Sequence, residues 1–513
     1  MSSTNPLVYE QTHMFRKLLI ANRGEIAVRI IRACRDLGIS PVAIYSDADR
    51  DGLHVKLADE AVAIGGRSSI ESYLRIDKLI DAALATHADA LHPGYGFLAE
   101  SEQLAQACED SGICFVGPSP EAMAAMGKKV SSRAAAERAG VPVVPGTAAP
   151  VRSAQEAFEA AKVLGFPLFV KADAGGGGKG MRIARTAEEL TASLSSAAQE
   201  AEAAFGDPAV YLERQLQRPR HIEVQILGDR QGNLVHLGER ECSVQRRHQK
   251  IVEECPSPLQ NEALRERLGQ AALAIGRAVG YYNAGTVEFL VESDDPESFY
   301  FLEMNTRLQV EHPVTELVTN TDIVCEQIRI AAGQRLGWRQ ENVQLTGAAI
   351  ECRIYAEDPG NNFLPAPGVV TELAEPAGPG IRNDSALYCG YEIPVHYDPL
   401  VSKLIAYGNN REEAIRRMLR ALSEYRVGGL PTSVSFLRRL ISHPDFRTGH
   451  LHTGFLQEHR LFDEEAEESA FVPLAGAAVE HLLTGKKPPE VQAQRNDNRW
   501  KLASRPSFYW RKW

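Results

Sequence analysis

The sequence contains no uninterrupted apolar run near the ~18 residues that a bilayer-spanning helix requires, which excludes an integral helical membrane protein. It has no excess of basic charge: 56 Lys and Arg stand against 67 Asp and Glu, a net charge of −11. A general nucleic-acid coat is therefore excluded, although a local basic pocket is not. Cysteine is sparse. The eight present (Cys34, Cys108, Cys114, Cys242, Cys255, Cys325, Cys352, Cys389) form no C-x-x-C pair and no zinc-like spacing, so they read as reduced thiols. The start, MSSTNPLVYEQTHMF, has neither an apolar signal core nor an Arg-rich character, and the expected compartment is the cytoplasm. Several signatures are also absent. No G-x-G-x-x-G dinucleotide fingerprint is present, nor a Gly-x-Ser-x-Gly elbow, nor a His-Glu-x-x-His pair.

What is present suits a large soluble protein. A chain of 513 residues, 44% hydrophobic and 24% charged, predicts roughly three domains or one composite of that size. The run KLLIA is followed by Asn22-Arg23-Gly24, then by EIAVRIIRACRDLG with apolar residues at helical spacing, then by PVAIYS. This strand–helix–strand rhythm predicts an N-terminal parallel-sheet α/β domain over 15–127. Helical stretches and then alternating strands (HIEVQILGD, NLVHLGERECSVQ, GTVEFLVES, FYFLEMNTRLQ) fill 128–346. A mixed C-terminal domain is expected over 347–457, and 458–513 reads as a linker or the start of a further region.

The sharpest feature is Gly175-Gly176-Gly177-Gly178-Lys179-Gly180, between two strand-like runs. Consecutive glycines let backbone N–H groups converge on an anion without a Cβ in the way, which suggests a flap over phosphate. It is not a Walker loop, because Gly180 stands where Ser or Thr would follow Lys179. Lys171, in the apolar LFVKA, needs a buried partner that a phosphate could supply. Lys128-Lys129 offers a second phosphate contact or an ordinary solvated pair. Glu288 and Glu303 lie on strands whose antiparallel pairing would bring both carboxylates to one face, and Asn305 follows at alternating spacing. Two carboxylates and an amide oxygen are hard donors suited to Mg²⁺ bridging nucleotide phosphates. Arg307, Gln309 and Glu311 alternate along NTRLQVEH and could orient and deprotonate a small anion. The donor-rich Gln245 to Lys250 run favours an anion site, and Arg353 in AAIECRIYA has Glu351 or Glu357 as structural ion-pair candidates.

Together, ANRGEIAVRIIRA, HPGYGFLAE, KADAGGGGKGM, ERECSVQRRHQK, FLEMNTRLQVEHPVTE and ECRIYAEDP resemble, in order over about 15–457, the biotin carboxylase component of biotin-dependent carboxylases. The resemblance implies an α/β (α+β composite) ATP-grasp fold: an N-terminal α/β domain, a mobile glycine-loop lid over about 145–215, and a C-terminal mixed domain. It implies ATP- and bicarbonate-dependent carboxylation of biotin on a carrier through carboxyphosphate, the first half-reaction of an acyl-CoA carboxylase. Another ATP-grasp carboxylate–amine ligase is the alternative. On matching positions, Lys129, Lys171, Gly175 to Gly178, Glu213, Leu216, His221, Gln245, His248 and Leu290 would bind ATP. Glu288, Glu303 and Asn305 would hold Mg²⁺, or Mn²⁺ in its place. Lys250, Arg307, Gln309 and Val310 would position bicarbonate, with Glu311 as base, Arg353 on the biotin enolate oxygen, and Tyr95 and Gly96 lining the biotin pocket. Arg29 and Arg32 would fall at a dimer surface. Implied partners are bicarbonate, a biotin carrier domain or protein, a carboxyltransferase subunit and a second copy of the chain, with neither nucleic acid nor membrane. None of the seven methionines precedes a lysine, so the Met-Lys biotin acceptor is missing. Lys128 and Asp173 depart from the family pattern, Asp173 placing a carboxylate near the phosphate loop, so that lid kinetics or nucleotide affinity would differ. The run GLPTSVSFLRRLISHPDFRTGHLHTGFLQEH is most similar to acyl-CoA carboxylase alpha subunits of the 3-methylcrotonyl-CoA type.

Overall fold

The structure is a computed structural model that describes residues 14–151, 153–173, 181–259, 261–292 and 298–462. Residues 1–13, 152, 174–180 (which include the glycine run), 260, 293–297 and 463–513 lie outside the described residues. Through Phe462 the chain forms one compact unit.

The apolar runs near the N-terminus become β1 (Lys17–Ile20), β2 (Ser40–Tyr45), β3 (Glu60–Ala63), β4 (Ala90–His92) and β5 (Cys114–Phe115). They make a fully parallel sheet in the order β3-β2-β1-β4-β5, as the strand–helix rhythm predicts. The strand order reverses between β1 and β4, the place where open α/β sheets leave a crevice beyond their strand ends. Gly24 (φ +65°) turns the chain out of β1 into the helix Gly24–Asp36, and Asn22 donates to Pro93 O and Tyr95 O, both at 2.7 Å. That bond ties the two strand ends together and fixes the Gly94-Tyr95-Gly96 turn.

A small antiparallel sheet follows: β6 (Leu168–Ala172) pairs with β7 (Met181–Ala184) and β8 (Val210–Arg214). The strands flanking the glycine loop thus pair with each other, Lys171 opposite Met181. The main sheet is built from β9 (Arg220–Gly228), β10 (Leu234–Arg246), β11 (Gln249–Cys255), β12 (Asn283–Val291), β13 (Phe299–Asn305) and β14 (Ala348–Tyr355). The strands Leu400–Gly408 and Ile381–Ser385 complete it in the order β13-β12-β9-β10-β11-β14-(400–408)-(381–385), antiparallel throughout. This sheet runs unbroken past residue 347, because β11 pairs with β14.

Two apolar layers cover its two ends. Phe289, Val287, Ile226 and Phe301 pack with Leu268 and Ile275 of the helix Glu262–Ala278. Ile350, Cys352, Ile354 and Leu404 pack with Met418 and Leu437 of two C-terminal helices. Period-two alternation then sends Ala349, Glu351 and Arg353 to the opposite face. There the helix His312–Thr319 sits, its Val314 and Val318 packed on Ala349, Ile405 and Cys255. The polar residues of the main sheet are therefore enclosed.

Phe289 is fully buried and stacks edge-on with Phe299 at 5.6 Å. Phe289→Ala is expected to cost about 3–5 kcal/mol through lost burial and the cavity left behind, read as a lower urea midpoint.

Candidate active site

Polar residues recur at alternate positions along β9 (His221, Glu223, Gln225), and β10, β11 and β12 add Arg240, Lys250 and Glu288. The Lys250 ammonium is their common point. It lies 2.5 Å from Glu223, 2.8 Å from Glu288 and 2.7 Å from Glu311. Three carboxylates overcome burial, which alone would discharge a lysine, and hold its pKa well above the ordinary value. Arg240 is wholly buried behind them. It donates to Glu223 (2.5 Å), Gln225 (2.8 Å), Thr315 (2.9 Å) and Thr286 (3.1 Å).

Glu288 and Glu303 stand directly opposite across the β12–β13 ladder, as their spacing suggests. Burial and the neighbouring Glu288 charge push the Glu303 pKa up, while Lys250 and His221 outweigh burial and hold Glu288 well below the usual range. His221 Nε2 is 2.8 Å from Glu288 and its Nδ1 is 2.6 Å from Gln245. Asn305 donates to Glu288 at 2.9 Å, and Arg307 donates to Asn305 Oδ1 at 2.8 Å. A facing pair of carboxylates, Glu288 buried and Glu303 half-buried, with an amide oxygen beside it is a hard-donor set that fits a divalent cation such as Mg²⁺.

The strand ends at Asn305, so Arg307, Gln309 and Glu311 do not alternate along one strand face. This corrects the reading of NTRLQVEH as one line. They lie on the loop that enters the helix His312–Thr319, with Glu311 at its N-terminal boundary. The loop folds back so that Gln309 donates to Glu288 (3.1 Å), while Glu311 meets Lys250 and Arg353. Glu311 is fully buried; burial would raise its pKa, but Lys250, Arg353 and Arg240 hold it far below the carboxylate range.

Arg353 takes neither sequence neighbour as partner. Its Nε donates to Glu253 at 2.6 Å and an Nη to Glu311 at 3.0 Å, since Glu351 and Glu357 do not reach it. Glu357 pairs instead with Arg246, at 2.7 Å. The donor-rich Gln245–Lys250 run is the β10–β11 hairpin, turned by Arg247 and His248 at positive φ; Lys250 meets the Glu223, Glu288 and Glu311 carboxylates, Gln245 meets His221, and Arg246 meets Glu357.

Lys171 finds its buried partner in Glu213, which also takes Arg133 (3.2 Å) and Tyr211 (3.2 Å). Lys129 starts the helix Lys129–Arg138, where burial lowers its pKa against the pull of Glu303. Asp173 accepts from Val130 N at 2.9 Å, so its carboxylate caps that helix, and Lys128 is exposed. Leu290 stands across the ladder from His221, Leu216 is buried, and His248 is exposed near Lys171. Gly175 to Gly178 fall outside the described residues. Tyr95 and Gly96 sit at the switch point of the N-terminal sheet. The Lys403 ammonium, which donates to Val310 O at 2.9 Å, lies 5.6 Å from the Tyr95 ring centre. Arg32 is exposed, whereas Arg29 is buried against Glu316 (3.0 Å) and Asp322 (2.7 Å) within the chain.

Sequence reasoning missed Glu223, Arg240, Glu253, Lys403 and Glu100, which accepts from Arg307 Nε at 2.9 Å. The alternation His221-Glu223-Gln225 in an otherwise apolar strand was the available signal for the first of these.

A strand pair flanking a glycine loop, two facing carboxylates and a basic pocket beside them define an ATP-grasp enzyme. Family models for the biotin carboxylase N-terminal domain, the carbamoyl-phosphate synthase L chain ATP binding domain and the biotin carboxylase C-terminal domain match residues 14–123, 128–339 and 351–458. Biotin carboxylase 1 of Bacillus subtilis is 51% identical over 446 residues, 87% of this chain and 99% of that one. The mitochondrial methylcrotonoyl-CoA carboxylase subunit alpha of Arabidopsis thaliana is 49% identical over 91% of this chain and 64% of its own length. Among solved structures, the biotin carboxylase domain of Hydrogenobacter thermophilus 2-oxoglutarate carboxylase superposes with a TM-score of 0.86 at 47% identity, covering 88% of this chain and all of that one. It was solved with MgADP, ADP and bicarbonate. The chain belongs to the biotin carboxylase family: it is an ATP-dependent ligase that carboxylates biotin with bicarbonate. That membership decides against a carboxylate–amine ligase.

Arg240→Ala is expected to leave Glu223 buried and short of a partner, costing about 3–5 kcal/mol, measured as a lower denaturation midpoint.

Proposed function

We propose that the chain forms carboxyphosphate from ATP and bicarbonate and passes the carboxyl group to biotin on a carrier, as the first half-reaction of an acyl-CoA carboxylase. The observation that carries the residue roles is the convergence of Lys250 and Arg353 on the buried Glu311, next to the facing Glu288–Glu303 pair. Lys129, Lys171 and the Gly175–Gly178 loop would take the phosphates, with Glu213, Leu216, His221, Gln245, His248 and Leu290 around the rest of the nucleotide. Glu288, Glu303 and Asn305 would hold Mg²⁺, which when bound neutralises the phosphate charge.

Bicarbonate would lie against Lys250, Arg307, Gln309 and the Val310 backbone. Its oxygen attacks the γ-phosphorus, the bond to the β-phosphate oxygen breaks, ADP leaves, and Glu311 takes the bicarbonate proton. In the free enzyme Glu311 is a weak base, since Lys250, Arg353 and Arg240 hold it ionised. An arriving anion competes for Lys250 and Arg353, and the weakening of those pairs raises the proton affinity of Glu311 when it is needed. In the second step the biotin N1′–carbon bond forms as the carbon–oxygen bond to phosphate breaks. Arg353 would stabilise charge on the ureido oxygen, and the departing phosphate is the strongest base at hand for the N1′ proton. Tyr95 and Gly96 would line the biotin pocket.

The acyl-CoA class of acceptor is supported by the resemblance of the 429–459 run to 3-methylcrotonyl-CoA-type subunits. A carrier, a carboxyltransferase subunit and a homo-oligomer using the face with Arg32 complete the proposal. A cytoplasmic location is supported by eight cysteines that are all free.

Glu311→Gln is expected to abolish bicarbonate-dependent ATP cleavage while nucleotide binding, followed by calorimetry, persists; retained turnover would remove Glu311 from the role of base. With Arg353→Ala, carboxybiotin formation should be lost and part of the ATP cleavage retained, and wild-type carboxylation would refute its assignment.

A further inference from the structure

The direction of Arg353 is set from the neighbouring strand. Glu253, on β11, is wholly buried and receives Arg353 Nε at 2.6 Å and an Nη at 2.5 Å. A planar guanidinium fixed along one edge can turn only its other edge to a ligand.

The charge balance around that pair is uneven. Around Arg353 and Lys403 lie four buried carboxylates, Glu25, Glu253, Glu311 and Glu351. Lys403 is engaged by Val310 O (2.9 Å) and Glu25 (3.3 Å), and Lys250 divides itself between Glu311, Glu223 and Glu288. Glu351 stands directly across the β11–β14 ladder from Glu253, is fully buried, and neither of its oxygens meets a hydrogen-bond partner. A carboxylate in that position cannot keep its charge without water or a donor. Burial, together with the Glu253 charge and against the pull of Lys403, drives the Glu351 pKa well above the usual value. Burial also pushes Glu253 up, to about 7, and the Arg353 guanidinium on one of its oxygens is what pulls it back toward the ionised form, while its other oxygen has no partner.

We propose that Glu253 is a positioning residue that aims Arg353 at the ureido oxygen of biotin, and that Glu351 across the ladder is carried as a neutral acid so that Glu253 keeps its charge for Arg353. The inference rests on the role assigned to Arg353 above. It makes two equally buried glutamates on facing strands unequal. An amide at 351 has nearly the shape and the charge already present there, whereas an amide at 253 removes the anion that grips the guanidinium.

The test compares E253Q, E351Q and R353A in the full chain, measuring kcat and KM for free-biotin carboxylation, bicarbonate-dependent ATP cleavage without biotin, and melting temperature. For E253Q the biotin-dependent kcat should fall about ten- to hundredfold, the effect of losing one charge-assisted hydrogen bond, while biotin-free ATP cleavage changes by less than about threefold. E351Q should keep both activities within about threefold. E253D, still charged, should recover part of the loss, and it carries the comparison if E253Q melts too low to assay. A parallel loss of both activities in E253Q or E253D, or an E351Q loss as large as that of E253Q, would overturn the inference. Wild-type carboxylation by R353A would instead remove the assignment on which it stands.

Discussion

One ammonium group, that of Lys250, holds the centre of this protein together. Glu223, Glu288 and Glu311 arrive from two strands and a loop, and all three would repel one another in a medium that screens poorly. Burying them is tolerable only because Lys250 sits between them and Arg240, His221 and Arg353 take the remaining oxygens of Glu223, Glu288 and Glu311. The same arrangement sets the chemistry. Cations close enough to keep the carboxylates ionised are also close enough to be drawn away by an incoming anion.

The long antiparallel sheet makes this possible. Its strands β13-β12-β9-β10-β11-β14 lie side by side in that order, so groups far apart in sequence, such as Glu223 and Arg353, reach one enclosed layer. Apolar side chains on the alternate positions pack against helices, which fixes the strands that carry the polar layer. The N-terminal sheet contributes at its switch point: Tyr95 approaches Lys403, Lys403 holds Val310 O, and Val310 precedes Glu311. Through these contacts the crevice of the parallel sheet adjoins the carboxylate layer.

Much of this was legible in the sequence. The βαβ rhythm gave the parallel sheet, and the spacing of Glu288, Glu303 and Asn305 placed them on one face, because period-two alternation is a local property. What depended on distant pairing was not. Arg353 has two glutamates within four residues, yet it pairs with Glu253, a hundred positions away, since only strand order decides which acid it meets. Arg307 to Glu311 resembled strand alternation, but Pro313 and the start of a helix ended the strand at Asn305. Asp173 looked like a charge added to the phosphate loop, and its carboxylate is taken up by the N-terminus of the helix Lys129–Arg138, more than forty residues earlier in the chain.

The most direct measurement is phosphate release from MgATP by the full chain, with and without bicarbonate, and then with free biotin added. The account predicts release that requires bicarbonate and rises with biotin. Release that ignores both, or nucleotide binding without turnover when both are present, would contradict it.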